Sequence, residues 1–521
     1  LKVSHTDEYL YLSIDVGTEI NLQDLNDVTL YIDSDNNSST GQSTNGLGAD
    51  ISYTFGSRSG SYFGSGTSSI RHGDLGLITA PTISSDQFEV ALNRNTVISG
   101  KMLFSSNTIK LALRDNASNG DILPNNSGGV SYTFTSSNLN NIPSYSISKA
   151  AKSNLRILSY NVLRDAFMDQ RNFDSYSRIL KSVNPDIIGF QEIYNSTSSQ
   201  VASQVESMLP SSNGEQWYHA NDGNDCHAIS RYPILKSREI AGNGAFLIDL
   251  PDTDKDLMLI VAHPPCCSND GGRQSEVDQI MKLIRESKEG KGILALEEGA
   301  PILIVGDMNF VGTGGQLHTF LTGDISDNAS HGSDFTPDWD GSDFVDAEPY
   351  ATHSPFVHTW YNTGSSFSPG KLDYIIFSPS TLELHNSFVL FTPTLPSDSL
   401  SAYKLEANDV TSASDHLPVV ADFSFLSDEF THSPIATELE SAIDLYPNPA
   451  HNTVYINSKS GQVVFLNIKI SDAQGRLTKS LENFRNSNRV SINTSELGYG
   501  TYTLSILTNK GIVYKSLNVV R

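Results

Sequence analysis

The middle of the chain contains polar residues of the types that carry out phosphate chemistry, each placed next to an apolar run. Hydrolysis of a phosphoester needs a hard cation to offset the phosphate charge, an activated water, and hydrogen-bond donors for the nonbridging oxygens. Carboxylate and amide oxygens are the ligands that Mg²⁺ or Mn²⁺ prefers, and histidines transfer protons near neutral pH. The oxygen set consists of Asn161, Glu192, Asp307, Asn309 and Asp415, and the proton-transfer set consists of His263 and His416, with Asp373 available to orient one histidine.

The elements that position these residues are short apolar runs alternating with helical stretches. Runs such as IIGFQEI and PILIVGDMN are typical of buried strands, whereas RQSEVDQIMKLIRESK has apolar residues at helical spacing. The alternation predicts a layered α/β unit with the polar residues at strand edges. Taken singly, each of these residues is more typical of a turn, a cap or a structural histidine. Their joint order on successive strand ends favours a catalytic site.

Charge and composition limit the class of protein. The chain has 521 residues, with 34 Lys and Arg against 59 Asp and Glu and a net charge of −25. This balance argues against a partner held mainly by release of counterions from phosphates.

The chain is longer than one core of roughly 250 to 300 residues, so two or three domains are expected. Three cysteines exclude a disulfide-dense scaffold. No run approaches roughly 18 apolar residues, so no transmembrane segment is expected.

Changes of pattern along the chain predict three domains. Short alternating runs separated by Gly, Ser and Asn predict an N-terminal β-sandwich at 1–145. The α/β unit is expected at 152–426, and short strands with turn residues predict a small C-terminal β-sandwich at 438–521. Polar, aperiodic segments at 137–154 and 424–442 are the predicted linkers.

The motifs SYN, QE, SRYPI, GDMN, LDYI and SDH occur in this order, with His263 among them. Together they resemble the motifs of the endonuclease/exonuclease/phosphatase superfamily, which includes DNase-I-like nucleases, neutral sphingomyelinases and inositol-phosphate phosphatases. The resemblance covers 154–425. It implies a central four-layer α/β sandwich, in which two packed β-sheets are flanked by helices.

The same resemblance assigns a role to each candidate residue. It implies that Glu192 is the principal metal ligand and that Asp307 orients or deprotonates the attacking water. Members of the superfamily usually place a further acid or tyrosine near the SRYPI motif, and the sequence does not identify that residue. The implied roles are catalytic for His263, Asp307, Asn309, Asp373 and His416, metal-binding for Asn161, Glu192 and Asp415, and substrate-binding for Arg231, with a structural role as the alternative for Arg231.

The resemblance also bears on the cysteines. It places Cys226 and the adjacent Cys266 and Cys267 next to strands of one sheet, so a bridge from Cys226 to one of the pair is an expectation. Three free thiols, and a bond between the two neighbours, are the alternatives.

The end of the chain contains LYPNP, DAQGR and GTYTL, and it resembles the C-terminal sorting domain of the type IX (Por) secretion system. The resemblance implies that the type IX machinery is a partner and that the protein is secreted or held at the cell surface. From the residues alone, the segment is typical of any small β-sandwich.

The N-terminal segment LYIDSDNNSSTG, with the following GADISY, brings together Asp33, Asp35, Asn37 and Asp50. Such oxygens can bind Ca²⁺, and an Asx-rich hairpin without metal is the alternative. The segment resembles DOMON-like or family-9-like carbohydrate-binding β-sandwiches over a short stretch. This resemblance implies an accessory module that binds a glycan or a surface ligand.

The sequence therefore predicts a secreted, divalent-metal-dependent phosphoesterase. The leading function is a phosphodiesterase or nuclease that hydrolyses extracellular nucleic acid or a small phosphodiester by in-line attack of a metal-associated water. A phosphomonoesterase, or a sphingomyelinase-type phospholipase docking through the loop 361–369, is the alternative enzyme, and a non-catalytic surface binding protein is the alternative of another class. Against a DNA nuclease, the acidic stretch 324–346 would repel a polyanion if it lay near the cleft. The two end modules are expected to be dispensable for hydrolysis of a small substrate.

Overall fold

The computed structural model of the protein describes residues 1–521 except 65, 137–144, 213–214, 251–252, 254, 427–441, 460–462, 472–476, 483–487, 496, 509–510 and 521. These residues form two compact units, Leu1–Leu426 and Ser427–Arg521. Much of the two predicted linkers and the DAQGR turn lie outside the described residues. Within the described part of the chain, no helix is long and apolar enough to cross a membrane.

The N-terminal part of the first unit contains two main sheets that share one apolar core. Its elements are β1 (Lys2–His5), β2 (Tyr9–Ile20), β3 (Val28–Asp33), β4 (Gln42–Thr44), β5 (Leu47–Ala49), β6 (Ile51–Thr54), β7 (Ser59–Phe63), β8 (Thr67–Ile70), α1 (His72–Leu75), β9 (Ile78–Ala80), β10 (Ser85–Asn93), β11 (Val97–Ile98), β12 (Lys101–Met102), β13 (Thr108–Asp115), β14 (Ile122–Leu123) and β15 (Val130–Thr133). The strand orders are β1-β2-β10-β9 and β14-β13-β3-β6-β7-β8, with β15 also paired to β13. Leu10, Leu12 and Ile14 alternate with less buried residues along β2, the pattern of a strand with one face in the core.

The central part of the first unit contains two six-stranded sheets packed face to face. Their strands are β16 (Leu155–Asn161), β17 (Ile187–Gln191), β18 (Tyr218–Asn221), β19 (His227–Ser230), β20 (Ile234–Ile240), β21 (Asn243–Ile248), β22 (Leu257–Ala262), β23 (Ile302–Asp307), β24 (Val345–Asp346), β25 (Asp373–Phe377), β26 (Leu382–Val389) and β27 (Val419–Phe425). The orders are β18-β19-β17-β16-β27-β26 and β20-β21-β22-β23-β25-β24. A β-carbon on Gly189 would lie 2.8 Å from the Val305 side chain and 3.1 Å from that of Val261, so glycine permits this close approach of the sheets.

Helices cover the outer faces of the two central sheets. On the second sheet, Val277, Ile280 and Ile284 of the longest helix share a core with Ile302 and Ile304. This order of helices, sheet, sheet and helices is the predicted four-layer arrangement. The helices are α2 (Phe173–Val183), α3 (Ser198–Met208), α4 (Asp270–Lys288), α5 (Gly315–Thr322), α6 (Asn328–His331), α7 (Ser397–Tyr403) and α8 (Asp409–Ala413), with short 3₁₀ helices at Ala166–Met168, Gln170–Asn172 and Thr392–Thr394.

The second unit contains two small antiparallel sheets with a core of their own. The strands are β28 (Ile443–Tyr446), β29 (Thr453–Ser458), β30 (Phe465–Ser471), β31 (Leu477–Glu482), β32 (Arg489–Asn493), β33 (Gly500–Thr508) and β34 (Gly511–Val519). Their orders are β28-β29-β32 and β31-β30-β33-β34. Val454 and Ile456 of β29 are buried at alternating positions, as expected of a strand with one face in the core.

Candidate active site

Strand ends from both central sheets meet at one edge of the fold. Asn161 ends β16, and Glu192 directly follows the parallel strand β17. In the second sheet, His263 directly follows β22 and Asp307 ends the parallel strand β23. Asp373 begins the antiparallel strand β25 and pairs with Asp307. The edge beyond the carboxyl ends of parallel strands is a common place for ligand binding in α/β proteins.

The amide of Asn161 links the two sheets. Its Nδ2 atom donates to Oε1 of Glu192 and to Oδ2 of Asp307, each at 3.0 Å. The other carboxylate oxygen of Glu192 accepts the backbone N–H of Arg164 at 2.8 Å. The φ angle of Glu192 is 65°, a conformation that non-glycine residues rarely adopt and that occurs at functional sites.

Asp307 lies at the centre of the cluster and is 2% exposed. Its Oδ2 atom is 3.6 Å from Nε2 of His263 and 3.5 Å from Nε2 of His416. Its Oδ1 atom accepts the backbone N–H of Asn309 at 3.0 Å. Two imidazoles therefore face one carboxylate oxygen.

Asp373 holds the ring of His416. Nδ1 of His416 is 2.9 Å from Oδ2 of Asp373, which also accepts the Thr359 hydroxyl at 2.7 Å. Burial lowers the pKa of His416, but the charges of Asp373 and Asp307 outweigh burial and raise the pKa to about 10. Burial raises the pKa of Asp373 to about 6. Near neutral pH the histidine of this pair therefore carries the proton, and its Nε2 atom is a donor.

Asp225 holds the ring of His263, and the sequence did not identify this residue. Oδ2 of Asp225 is 2.6 Å from Nδ1 of His263 and accepts the backbone N–H of Glu192 at 2.9 Å. Burial lowers the pKa of His263, but the hydrogen bond with Asp225 and the charge of Asp307 raise it to about 9. In the sequence, Asp225 could have been recognised only as an aspartate three residues before the short apolar run AIS, ahead of the SRYPI motif.

Asp415 has one carboxylate oxygen without a partner. Its Oδ2 atom accepts Nε1–H of Trp360 at 3.2 Å and Nδ2–H of Asn362 at 3.4 Å. Its Oδ1 atom is buried and has no hydrogen-bond partner among the described residues. The Ser414 hydroxyl donates to the carbonyl of Asn161 at 2.9 Å, which places this segment against β16. A buried carboxylate oxygen is costly unless a donor or a cation meets it.

These residues fit a divalent cation. Glu192 and Asp415 supply carboxylate oxygens, the hard ligands that Mg²⁺ or Mn²⁺ accepts. Asn161 presents its Nδ2 atom to Glu192, and its amide oxygen accepts the N–H of Leu163 at 3.0 Å. Atoms of Asp307, Asp373 and His416 also lie within 4.8 Å of one another. We interpret that second group as a hydrogen-bonded network, because Oδ2 of Asp373 already bonds the histidine and Thr359, although Oδ1 of Asp373 is buried without a hydrogen-bond partner among the described residues.

Comparison with known families identifies the central part of the chain. Residues 158–416 match the Endonuclease/Exonuclease/phosphatase family. The chain contains an endonuclease/exonuclease/phosphatase domain. Residues 444–520 match the secretion system C-terminal sorting domain, so the protein is exported by the type IX system to the cell surface or the extracellular space. Members of the endonuclease/exonuclease/phosphatase family hydrolyse phosphoesters.

Solved structures similar to this one include three phosphoesterase-fold proteins. The human Nocturnin catalytic domain with bound sulfate is 16% identical, with 52% of this chain and 95% of that chain covered and a TM-score of 0.35. Truncated Caenorhabditis elegans TDP2 is 15% identical, with 53% and 98% covered and a TM-score of 0.34. ANGEL2, a 2′,3′-cyclic phosphatase, is 13% identical, with 53% and 97% covered and a TM-score of 0.35. No curated protein matches the chain.

Arg231 lies away from the site of the endonuclease/exonuclease/phosphatase domain. Strand β19 runs antiparallel to β17, so its end at Arg231 lies at the opposite edge of the sheet from Glu192. The guanidinium of Arg231 is 4.4 Å from the centre of the Trp217 ring and donates to the carbonyl of Pro185. These contacts support the structural role that was the alternative for Arg231.

The three cysteines are free thiols. Cys226 is buried at the start of β19, whereas Cys266 and Cys267 are exposed. The expected bridge from Cys226 to one of the pair is therefore not formed.

Three of the four predicted calcium ligands come together at the end of β3. Oxygen atoms of Asp33, Asp35 and Asp50 lie within 4.8 Å of one another. Asn37, the fourth predicted ligand, lies in the same turn. Its backbone N–H donates to both Asp33 and Asp35, and its side chain accepts the N–H of Ser39, so it shapes the turn.

The N-terminal sheets support a loop of the endonuclease/exonuclease/phosphatase domain, residues 361–371. Oε1 of Gln23 accepts the N–H of Ser368 at 2.8 Å, and the guanidinium of Arg58 lies 4.2 Å from the centre of the Phe367 ring. Oγ1 of Thr79 is 2.8 Å from Oγ of Ser368. The same loop carries Asn362, which contacts Asp415. No sequence pattern indicated these contacts, which connect the N-terminal part to the site.

Proposed function

We propose that the protein is an exported, divalent-metal-dependent phosphodiesterase that cleaves nucleic acid or a smaller phosphodiester outside the cell. The observation that carries this proposal is the convergence of two His–Asp pairs on Asp307, beside the unpartnered oxygen of Asp415. The arrangement combines a base, two proton donors and a cation site, which are the elements that phosphoester hydrolysis requires.

Each residue has a role that follows from its contacts. A divalent cation held by Glu192 and Asp415, with Asn161 orienting Glu192, would offset the phosphate charge and lower the pKa of the attacking water. Asp307 orients that water and accepts its proton. His263 and His416 donate from Nε2, one to a nonbridging oxygen and one to the leaving group, because Asp225 and Asp373 keep their rings protonated and oriented. Asn309 uses one amide hydrogen on the carbonyl of Pro264, and the second is available to a phosphate oxygen.

Charge favours a diester over a monoester. A phosphomonoester carries about −1.5 to −2 near neutral pH, whereas a diester carries about half of that, so the diester is repelled less by the carboxylates of this site. The sphingomyelinase alternative needs a free membrane-docking loop. The loop 361–369 has two aromatic rings: Tyr361 packs against Phe391, and Phe367, which is 42% exposed, lies against Arg58.

Part of the acidic stretch 324–346 lies away from the cleft. Helix α4 begins near the site, where Arg273 donates to the carbonyl of Pro265, and it runs for 19 residues, or about 28 Å. Arg285 and Lys288 in its last turn bond to carbonyls of residues 331–338. That part of the stretch therefore lies at the far end of α4, where its charge is largely screened from the cleft.

We propose that the chain consists of three domains: an accessory module at 1–145, the catalytic domain at 152–426 and the sorting domain at 438–521. The sorting domain engages the type IX machinery. That the accessory module binds a glycan or a surface ligand stays a prediction. The assignment of the accessory module and the C-terminal domain to the β-sandwich class also stays a prediction.

A panel of substrates tests the proposal. Purified protein is assayed with an aryl phosphodiester, an aryl phosphomonoester, double-stranded DNA, RNA and sphingomyelin, with Mg²⁺, Mn²⁺ or Ca²⁺. We expect turnover of the aryl diester and of at least one nucleic acid, and none by Asp307→Asn protein purified in parallel. Faster turnover of the monoester or of sphingomyelin would replace the proposed substrate class, and no turnover of any substrate would favour a binding protein.

Asp225→Asn is expected to move the alkaline limb of the pH profile to lower pH. Asparagine can still accept both hydrogen bonds through its oxygen, but it lacks the charge that raises the pKa of His263 to about 9. The pKa should fall toward 6.5, so the protonated donor is lost at lower pH and kcat at pH 8 drops by about one order of magnitude. The measurement is kcat against pH from 5.5 to 10, and Asp222→Asn in the same loop is the control. Superimposable profiles for Asp225→Asn and wild type would contradict the role of Asp225.

Loss of the Gln23 and Arg58 contacts is expected to loosen the loop 361–371. In the double variant Gln23→Ala/Arg58→Ala, hydrogen exchange of the loop amides should be about tenfold faster, and kcat should fall a few-fold because Asn362 no longer holds Asp415 firmly. Arg114→Ala, on β13 of the same N-terminal part, is the control. Unchanged exchange and kcat would instead support the expectation that residues 1–145 are dispensable.

A further inference from the structure

The cluster of Asp33, Asp35 and Asp50 has an uncompensated charge. Their oxygen atoms lie within 4.8 Å of one another, and the described residues place no Lys or Arg in an ion pair with any of the three. Burial and the neighbouring carboxylates of Asp35 and Asp50 raise the pKa of Asp33, against the hydrogen bond from Asn37 and the charge of Lys110 on the adjacent strand. Three close carboxylates in this setting repel one another unless a cation lies between them.

One carboxylate oxygen of the cluster is available to a ligand. Asp33 is fully buried, and its Oδ2 atom has no hydrogen-bond partner among the described residues. Its Oδ1 atom is fixed by the N–H of Asn37 at 2.9 Å. A native fold rarely leaves such an oxygen without water, a donor or a metal.

The remaining carboxylates are oriented by their own hydrogen bonds. Oδ2 of Asp50 accepts the N–H and the hydroxyl of Ser34 at 2.9 and 2.7 Å. Oδ1 of Asp35 accepts the N–H of Asn37 at 3.0 Å and the hydroxyl of Thr40 at 3.2 Å. Each carboxylate is thus held in place before any ion binds, which lowers the entropy cost of binding.

We propose that Asp33, Asp35 and Asp50 bind one Ca²⁺ ion, which ties the end of β3 to the start of β6. Ca²⁺ accepts irregular sets of oxygen ligands, whereas Mg²⁺ demands near-ideal octahedral geometry and usually keeps several waters, so a group of carboxylates fixed by their own hydrogen bonds favours the larger ion. The cluster contains no Cys or His, so softer ions have no preferred ligand. The protein is exported, and extracellular calcium modules bind with Kd of about 10⁻⁴ to 10⁻³ M.

Asp33→Asn separates the proposal from a purely structural role of the cluster. The substitution keeps an oxygen for the N–H of Asn37 and replaces the unpartnered oxygen with an amide of equal size. Without calcium the variant should be as stable as wild type or more stable, because a buried charge is removed. Asp115→Asn is the matched control, because Asp115 also accepts one backbone N–H at a strand end of the same N-terminal part.

Hydrogen exchange of the full chain is the test, with about 5 mM Ca²⁺, about 5 mM Mg²⁺ or chelator. We expect Ca²⁺ to slow exchange in peptides covering 33–50 about tenfold in wild type and Asp115→Asn, and not in Asp33→Asn. If Asp33→Asn fails to fold, Asp35→Asn takes its place and should require more Ca²⁺ for the same protection. The proposal is overturned if wild type exchanges equally in Ca²⁺ and in chelator, or if Mg²⁺ protects it as well as Ca²⁺ does. It is also overturned if Asp33→Asn and Asp35→Asn are both protected at the Ca²⁺ concentration that protects wild type. The readout is local to 33–50, so the result is independent of the phosphodiesterase activity.

Discussion

Asparagine in place of Asp307 is expected to lower kcat on the order of 10² to 10⁴-fold while leaving KM within a few-fold. Oδ2 of Asp307 is the atom that both imidazole Nε2 atoms face, at 3.6 and 3.5 Å. Asparagine keeps an oxygen for the N–H of Asn309 but presents an amide where the water must lose its proton. The change is nearly isosteric, so the lost rate reports the base and not a collapsed site.

Steady-state kinetics at saturating metal check this expectation, together with the melting temperature of each variant. Asp338→Asn is the control, because Asp338 is also a buried carboxylate, 2% exposed, but bonds Ser380 far from the site. We expect this control to change stability more than kcat. Near-normal turnover by Asp307→Asn would show that another group accepts the proton.

Local pattern placed the residues that end parallel strands, whereas Asp373, Asp415 and His416, which stand at or before the start of antiparallel strands, depended on the joint order of the motifs. Asn161 and Asp307 end β16 and β23, and Glu192 and His263 directly follow β17 and β22, so an apolar run followed by a polar residue was enough to place them. The run that contains Arg231 looks the same in sequence. Because its strand runs antiparallel, its end lies at the other edge. Strand direction depends on pairing partners distant in sequence, which local pattern does not contain.

Asp225 was missed for a related physical reason. It precedes β19, so it reaches the catalytic edge at the start of an antiparallel strand, within the turn-like run NDGND. Asp and Asn in such a run are typical of turns. Its contacts with His263 at 2.6 Å and with the N–H of Glu192 at 2.9 Å distinguish Asp225 from its neighbours.

The support of the loop 361–371 by the N-terminal sheets could not be predicted either. Gln23, Arg58 and Thr79 are single polar residues in different connecting segments and strands, without any periodicity. Contacts of this kind depend on the fit between two folded surfaces. They also suggest why the two parts form one compact unit, whereas the sorting domain forms its own.

Glu192→Gln and chelation together are expected to separate metal binding from proton transfer. Removal of divalent ions should reduce hydrolysis to about 1% or less, and Mg²⁺ or Mn²⁺ should restore it, because Glu192 and Asp415 offer oxygen ligands suited to hard ions. Glutamine at 192 keeps an oxygen for Asn161 but removes the charge and the second acceptor, which bonds the N–H of Arg164, so the metal concentration for half-maximal activity should rise about 10 to 100-fold.

The dependence of activity on free Mg²⁺ provides the measurement, with Glu215→Gln as a control. Glu215 is exposed and pairs with Arg231 at the opposite edge of the sheet. Glu192→Gln should approach wild-type kcat at high Mg²⁺, whereas Asp307→Asn should not, because added metal restores charge neutralisation but not a base. The metal site would be excluded by full activity in excess chelator, provided that metal analysis shows less than about one ion in ten chains. If high Mg²⁺ fails to rescue Glu192→Gln, Glu192 acts instead in a step after metal binding.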